Sequence, residues 1–140
     1  MSVSNEAKNK YILTFGYGNR KNYDVFLDYL QTFNVICVVD VRISPRAWSR
    51  RWYREQIQNF CISHSIKYIS KTSLGNTSGK ENWIPPNPEE AEAALIEIAE
   101  LARMGNILLL CAEMNSHRCH RVDVANHLGK LLSTPVKHLE

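Results

Sequence analysis

The N-terminal part of the chain alternates between apolar runs and a helical spacing of apolar positions. Residues 11–15 form a compact β-prone run that ends at Gly16-Tyr17-Gly18-Asn19, and residues 35–41 form a second run rich in β-branched side chains. The apolar positions between the two runs recur at helical spacing, at Tyr23, Phe26, Leu27 and Leu30. This order predicts a strand, a helix and a second strand of the buried, parallel type.

The same alternation continues to the end of the chain. Asn87-Pro88 is a typical helix start with two glutamates in the first turn, and the apolar stripe that follows ends near Gly105. The last helix is marked by Val124, Ala125, Leu128, Leu131 and Leu132. The remaining predicted elements are a helix at residues 53–64, strands at residues 67–70, 107–111 and 136–139, and a loop rich in Ser, Gly, Asn and Pro at residues 71–86.

Strands that alternate with helices in this way favour one architecture. We predict a single α/β domain over residues 11–140, preceded by a flexible polar tail at residues 1–10. The fold class is a three-layer α/β/α sandwich with a mainly parallel sheet of about five strands.

Composition narrows the class of protein further. The four cysteines form no CxxC pair and no apolar N-terminal stretch resembles a signal peptide, so a secreted disulfide scaffold is not expected and the cytoplasm is the default location. No apolar run approaches the roughly 20 residues that span a bilayer, so no membrane association is predicted. The formal charge of +3 gives only a weak attraction for anions, so any preference must come from local clustering. Composition does not indicate an oligomeric state.

The arginines cluster after predicted strands. Ligands of open parallel sheets bind beyond the carboxyl ends of the strands. Planar guanidinium groups at that edge would suit phosphate or carboxylate, although each arginine alone is as consistent with a solvated surface. Arg20 follows the first strand, Arg42, Arg46, Arg50, Arg51 and Arg54 follow the second, Arg118 and Arg121 follow the strand at residues 107–111, and Arg103 lies elsewhere.

The segment CAEMNSHRCHR, residues 111–121, gathers several reactive side chains between a strand end and a helix start. A zinc site is not expected, because Cys111 and Cys119 do not have a knuckle spacing and neighbouring arginines oppose a cation. A thiolate at Cys111 would be favoured by those arginines, but a strand-end cysteine is at least as often a buried packing residue. Glu113 and Asp40 are candidates for acid or base roles, and the alternative for both is that they orient arginines as ion-pair partners.

Five blocks of the chain together resemble the domain of unknown function 488 family. The resemblance covers nearly the whole predicted domain and implies a small α/β domain whose active site is formed by these blocks. The chain departs from the family pattern in the spacing between Pro45 and Ser49, and in Asn76, which stands where a second glycine often follows Leu-Gly. The blocks are Gly16-Tyr17-Gly18-Asn19-Arg20, Val39-Asp40-Val41-Arg42 with Pro45 and Ser49-Arg50, Leu74-Gly75, Cys111-Ala112-Glu113, and Cys119-His120-Arg121.

The leading hypothesis is an enzyme or enzyme-like domain, a hydrolase or transferase without a cofactor, that binds a phosphate-bearing small molecule or nucleic acid. In this hypothesis Arg42, Arg118 and Arg121 hold the anion and Glu113 is the acid or base, while Tyr17, Asn19, Arg20, Arg46, Arg50, Cys119 and His120 complete the binding site, with Asp40 and Cys111 as further catalytic candidates. A second hypothesis is a non-catalytic nucleic-acid-binding module that uses Arg46, Arg50, Arg51, Trp48 and Trp52. A third is a thiol-dependent enzyme that uses Cys111 or Cys119.

Overall fold

The computed structural model describes residues 10–18, 20–44, 49–78, 82–112 and 120–139. Within these residues the chain forms five strands, four α-helices and two short 3-10 turns, Arg50–Trp52 and Thr72–Leu74. The strands and helices are β1 Ile12–Gly16, α1 Asp24–Thr32, β2 Val35–Asp40, α2 Arg54–Ser63, β3 Lys67–Ser70, α3 Pro88–Ala102, β4 Asn106–Cys111, α4 Arg121–Leu132 and β5 Val136–Leu139.

The described strands form one sheet in the order β3-β2-β4-β1-β5, and every neighbouring pair is parallel. The predicted parallel sheet is therefore confirmed. The chain moves outward from β1 to β2 and β3, then returns to place β4 between β1 and β2 before reaching β5 at the other edge. This reversal of direction sends the helices before and after β3 to opposite faces of the sheet, because parallel crossovers are right-handed.

Two separate hydrophobic clusters confirm the three layers. On one face, the side chains of α1 and α2 pack with Leu13, Phe15 and Leu108. On the other face, α3 and α4 pack with Ile107 and Leu109. Alternate residues of each strand point to opposite faces, so a strand that is covered on both sides reads as a continuous apolar run.

The α3 helix begins as its sequence predicts. The Asn87 side-chain oxygen accepts hydrogen bonds from the backbone N–H groups of Glu89 and Glu90 at 3.0 and 3.1 Å, and Pro88 occupies the first helical position. The apolar stripe predicted for α4 is correct except at Leu131, which is 57% exposed. Leu131 differs because it lies beside a groove between α3 and α4, where no other described element covers it.

The register brings the carboxyl ends of four strands to the same edge. Gly16 of β1 pairs with Cys111 of β4, and Asp40 of β2 pairs with Leu110 on one side and Ser70 on the other. The helix after β4 lies on the opposite face from the helices after β1 and β2. Loops that diverge to opposite faces open a crevice above the strand ends, and this edge is therefore where a ligand site is expected. Among the described helices, none is both long and apolar enough to cross a membrane.

Candidate functional site

The chain after β1 continues to pair with the chain after β4. The Tyr17 N–H donates to the Cys111 carbonyl at 3.1 Å, and the Gly18 N–H donates to the Ala112 carbonyl at 2.8 Å. Gly18 has a φ of 57°, in the left-handed region that a glycine adopts without steric cost. These bonds fix the turn after β1 beside the strand end from which the segment at residues 111–121 departs.

A buried ion pair stands at the end of β2. The Arg42 Nε donates to Asp40 Oδ1 at 2.8 Å, and the Arg42 Nη2 donates to Asp40 Oδ2 at 2.6 Å. Asp40 is fully buried and Arg42 is only 5% exposed. The two residues are two positions apart on an extended chain, so their side chains point to the same face of the sheet, toward α1 and α2. This geometry favours the alternative in which Asp40 orients an arginine.

The same ion pair connects three other parts of the chain. The Arg42 Nη1 donates to the Tyr17 hydroxyl at 3.1 Å and to the Trp52 carbonyl at 2.7 Å. The Tyr68 hydroxyl of β3 donates to Asp40 Oδ2 at 2.5 Å. Sequence reasoning missed Tyr68. The available signal was its position two residues before the end of a strand parallel to β2, which places its hydroxyl on the same face as Asp40.

The charge states of this network follow from burial and from Asp40. Burial lowers the pKa of Arg42, but its hydrogen bonds to Asp40 and the negative charge there outweigh burial and raise that pKa above its ordinary value. Burial is the main cause that raises the pKa of Tyr17 and that of Tyr68. The Asp40 charge also raises both pKa values, while the Arg42 charge lowers them. At neutral pH the guanidinium is therefore charged, and both phenols are protonated.

Trp52 anchors the loops instead of presenting a stacking surface. Its side chain is 1% exposed, stacks on the Tyr17 ring at a centroid distance of 4.7 Å, and donates from Nε1 to the Arg20 carbonyl at 2.8 Å. The Arg20 guanidinium lies over the Phe15 ring, 5.3 Å from its centroid. Trp52 thus ties the chain after β2 to the chain after β1, and Arg20 is held at the rim of the edge, partly exposed.

Three arginines beside Trp52 face solvent. Arg50, Arg51 and Arg54 are exposed, and among the described residues none of them takes part in an ion pair. Arg50 and Arg51 belong to the 3-10 turn that Ser49 caps, where its hydroxyl accepts from the Arg51 N–H at 3.3 Å.

The start of α4 reaches the end of β4 from the other side of the sheet. Arg121 is the first residue of α4 and is fully buried, and its Nη1 donates to the Cys111 Sγ at 3.4 Å. The His120 Nε2 lies 2.8 Å from the Val41 carbonyl and must carry a proton, since a carbonyl oxygen only accepts. Arg20 and Arg42 lie on the α1 and α2 side of the strand ends, so the arginines approach the edge from both sides.

The match to a family model covers residues 22–128, which is more than half of the chain and includes the ends of β2, β3 and β4. The end of β1 precedes the matched residues. The chain belongs to the family described as domain of unknown function DUF488. The resemblance seen in the sequence is therefore confirmed. No curated protein and no solved structure has a significant match to this chain.

The cysteines of this DUF488 chain are in different states. Burial raises the pKa of Cys37 to about 11 and that of Cys61 to about 12, and both are free cysteines within the hydrophobic clusters. Cys111 is disulfide-bonded. A thiol-dependent reaction at Cys111 would require reduction of this bond. In the described part of the chain, no three His, Cys, Asp or Glu side chains are grouped so as to hold a metal ion.

Several predicted site residues lie outside the described residues, and their roles stay predictions. They are Asn19, Arg46, Trp48, Glu113, Arg118 and Cys119, together with the motif residues Pro45, Ser116 and His117. The described candidates at the edge are Tyr17, Arg20, Asp40, Arg42, Arg50, Cys111, His120 and Arg121.

The stability of the DUF488 fold is expected to depend on His120 below neutral pH. Burial lowers the pKa of His120 below its ordinary value of 6.5, a shift that backbone hydrogen bonds to Val41 and Leu74 oppose only in part. The unfolded chain then takes up a proton more readily than the folded one. The contribution of the neutral ring to stability is complete above pH 6.5 and is lost as the pH falls through that value toward the lower, folded-state pKa.

This expectation is checked by urea unfolding from about pH 7 to about pH 5. The decrease in the free energy of unfolding should be shallower for His120→Gln than for the unaltered chain. His64→Gln is the matched control, because His64 is exposed at the end of α2. Equal slopes for His120→Gln and the unaltered chain would contradict the assignment.

Proposed function

We propose that this chain binds a phosphate-bearing ligand, a nucleotide or a nucleic acid, in the crevice at the carboxyl ends of β1, β4 and β2, and acts on it as an enzyme or enzyme-like domain. The observation that carries the proposal is the strand order. β4 lies between β1 and β2, its helix leaves to the opposite face, and the ends of the three strands are in register. That arrangement is the usual place for a ligand in open parallel sheets.

The arginines at this edge suit an anion in different ways. Arg121 supports an anion site at the floor of the crevice, because its guanidinium points back to the end of β4 and the N–H groups of the first turn of α4 are beside it. Arg20 would contact the ligand from the rim. Arg42 would act as a positioning residue, since its guanidinium is directed at Asp40, Tyr17 and Trp52. Asp123 lies in the first turn of α4, where its negative charge would repel an anion. The repulsion is reduced because the Asp123 carboxylate accepts a hydrogen bond from the Trp83 N–H at 3.2 Å.

The chemical step is proposed for Glu113, as acid or base, with Arg118 as a further anion contact. Tyr17, Asn19, Arg46, Arg50, Cys119 and His120 complete the proposed ligand site, and no cofactor is required. Hydrolysis or transfer at phosphorus depends largely on positioning and on stabilising negative charge. An edge rich in guanidinium groups fits that class of reaction.

The Arg121→Lys variant tests the anion site. Lysine keeps the charge but loses the planar fork, so the affinity for a mononucleotide or for sulfate should fall by about tenfold or more, the equivalent of one charge-assisted hydrogen bond of ~1.5–3 kcal/mol. Arg103→Lys is the matched control, because Arg103 is exposed after α3 and pairs with Glu100 away from the crevice. Calorimetric titration and thermal unfolding are to be measured on the same preparations.

The two measurements separate a ligand contact from a structural role. A lower affinity with a melting temperature close to that of the unaltered chain supports the proposal. A collapsed melting temperature with unchanged affinity of the folded fraction means that Arg121 serves the fold alone. If neither nucleotides nor sulfate bind to the unaltered chain, the proposed function is wrong.

The second candidate function is non-catalytic binding of nucleic acid on the surface of Arg50, Arg51 and Arg54. The observation that favours it is the exposure of all three within one short stretch. Trp52 would not stack bases in this role, because it is buried. An Arg51→Gln/Arg54→Gln variant in the same titration distinguishes the two functions, because neither residue belongs to the proposed crevice site. Loss of oligonucleotide binding with a steep salt dependence, while mononucleotide affinity is unchanged, would favour the surface over the crevice.

A further inference from the structure

A groove lies on the α3 and α4 face of the molecule. Its volume is about 600 Å³ and its walls are α3, α4 and the chain that leads into α3. Trp83 lines the groove and is fixed by two contacts. Its Nε1 donates to the Gly75 carbonyl at 3.0 Å, and its ring packs edge-on against the His127 ring at a centroid distance of 5.5 Å. The groove is therefore a built feature of the fold.

Large apolar side chains border this groove and face solvent. Ile96 of α3 and Leu131 of α4 are each 57% exposed. Pro85, Pro88 and Leu95 continue the apolar lining. Single exposed apolar residues are ordinary, but a group of them around one concavity is typical of a surface that a partner covers.

The charged side chains of the groove are divided between its two walls. Glu92 lies on the α3 wall and Lys130 on the α4 wall, and both are exposed. Neither takes part in an ion pair among the described residues. Among the described residues that line the groove, Glu92 is the acid of the α3 wall, and His127 lies beside Lys130 on the α4 wall. The two walls thus carry single charges of opposite sign.

We infer that this groove is the interface of a homodimer, and that its occupant is a second copy of the same chain. A two-fold axis along the groove places α3 of one copy against α4 of the other, so Glu92 of each copy lies opposite Lys130 of its partner and the pairing occurs twice. Such a self-complementary surface is what an isologous interface requires, because every contact then occurs in both directions. The apolar residues Ile96 and Leu131 lie at the centre of the contact, and the Glu92 to Lys130 pairs lie across it.

Sedimentation of the full chain over a range of concentrations tests the apolar part of the interface. The unaltered chain is expected to show a concentration-dependent dimer, and Ile96→Glu is expected to remain monomeric at every concentration. Ile62→Glu is the matched control, since Ile62 is a 62% exposed isoleucine on α2, in the opposite layer. A monomeric unaltered chain, or an Ile96→Glu chain that dimerises as strongly as the unaltered one, overturns the inference. Both substitutions are at exposed positions, and thermal unfolding confirms that each variant is folded.

Exchange of the charges tests the pairing itself. Glu92→Lys and Lys130→Glu each place like charges opposite one another and should weaken the dimer, whereas the double variant restores the opposite signs and should recover most of the association. Additive losses in the double variant would overturn the proposed pairing of α3 with α4. The substituted residues lie on α3 and near the end of α4, whereas Arg121 is at the start of α4. Ligand binding in the crevice is therefore expected to be unchanged in Ile96→Glu and in the three charge variants, so this test is independent of the proposed function.

Discussion

Replacement of Asp40 by asparagine is expected to lower the free energy of unfolding by about 3–5 kcal/mol, the usual cost of leaving one partner of a buried ion pair without the other. The carboxylate of Asp40 is fully buried and accepts from Arg42 through both of its oxygens. Asparagine keeps the size of the side chain but removes its charge and one acceptor. The Arg42 guanidinium would then remain charged at a site that is 5% exposed, and the Tyr68 hydroxyl would lose its strongest acceptor.

Urea unfolding at neutral pH measures this effect. Asp28→Asn is the matched control on the exposed side of α1, where a change within about 0.5 kcal/mol is expected. An Asp40→Asn/Arg42→Met double variant should recover part of the loss, because it removes the charge left without a partner. A loss below about 1 kcal/mol for Asp40→Asn would mean that the ion pair contributes little, and that Asp40 is retained for some other reason.

The layered fold could be predicted because each element carries its own signal. β2 and β4 are buried on both faces, so they read as unbroken apolar runs, and α3 has an asparagine cap, a proline at its first position and a regular stripe. The strand order itself was not predictable from local pattern. It depends on which strand each crossover places at the centre of the sheet. The sequence of a crossover loop does not indicate where the next strand is inserted.

The site was predictable in its location but not in its internal pairing. The carboxyl ends of parallel strands meet at one edge, so residues after β1, β2 and β4 had to gather there. Burial decides whether the Arg42 guanidinium is directed at Asp40 or at a ligand. Tyr68 belongs to the Asp40 network only because β3 lies beside β2. Arg121 illustrates the same point, since a helix-start arginine in sequence gives no sign that its side chain is fully buried against Cys111.

The Asp40 network links stability to the proposed crevice. Arg42 joins β2 to Tyr17 after β1 and to the Trp52 carbonyl before α2, while Trp52 in turn holds the Arg20 carbonyl. Groups that must position a ligand within a fraction of an ångström need such support from residues that do not touch it. A variant that weakens this network is therefore expected to loosen the edge as well as the fold.

The second large effect is expected at Gly75, where alanine should cost about 1–3 kcal/mol or more. Gly75 follows the Thr72–Leu74 turn with a φ of −70°, so any residue fits its backbone conformation and the constraint is one of space. A Cβ at this position would lie 2.5 Å from the Cα and the Cβ of Ile43, and 2.8 Å from its backbone nitrogen. Backbone atoms cannot turn aside as the end of a side chain can, so the chain after Arg42 would have to move.

Gly105→Ala is the matched control for this prediction, because the nearest atoms to its added Cβ, from 3.0 Å, belong to the exposed side chain of Ile36 and not to backbone. That variant should be close to neutral, or slightly stabilising through the reduced freedom of the unfolded chain.

Displacement of Ile43 by Gly75→Ala would also pull the Val41 carbonyl away from the His120 ring, a contact of 2.8 Å that connects β2 to the start of α4. Gly75→Ala should therefore have a lower free energy of unfolding than the unaltered chain. It should also lose the part of the pH dependence of that free energy that comes from His120. Urea unfolding at several pH values measures both effects. Equal stability of the two alanine variants would show that the approach of Ile43 to Gly75 does not constrain the fold.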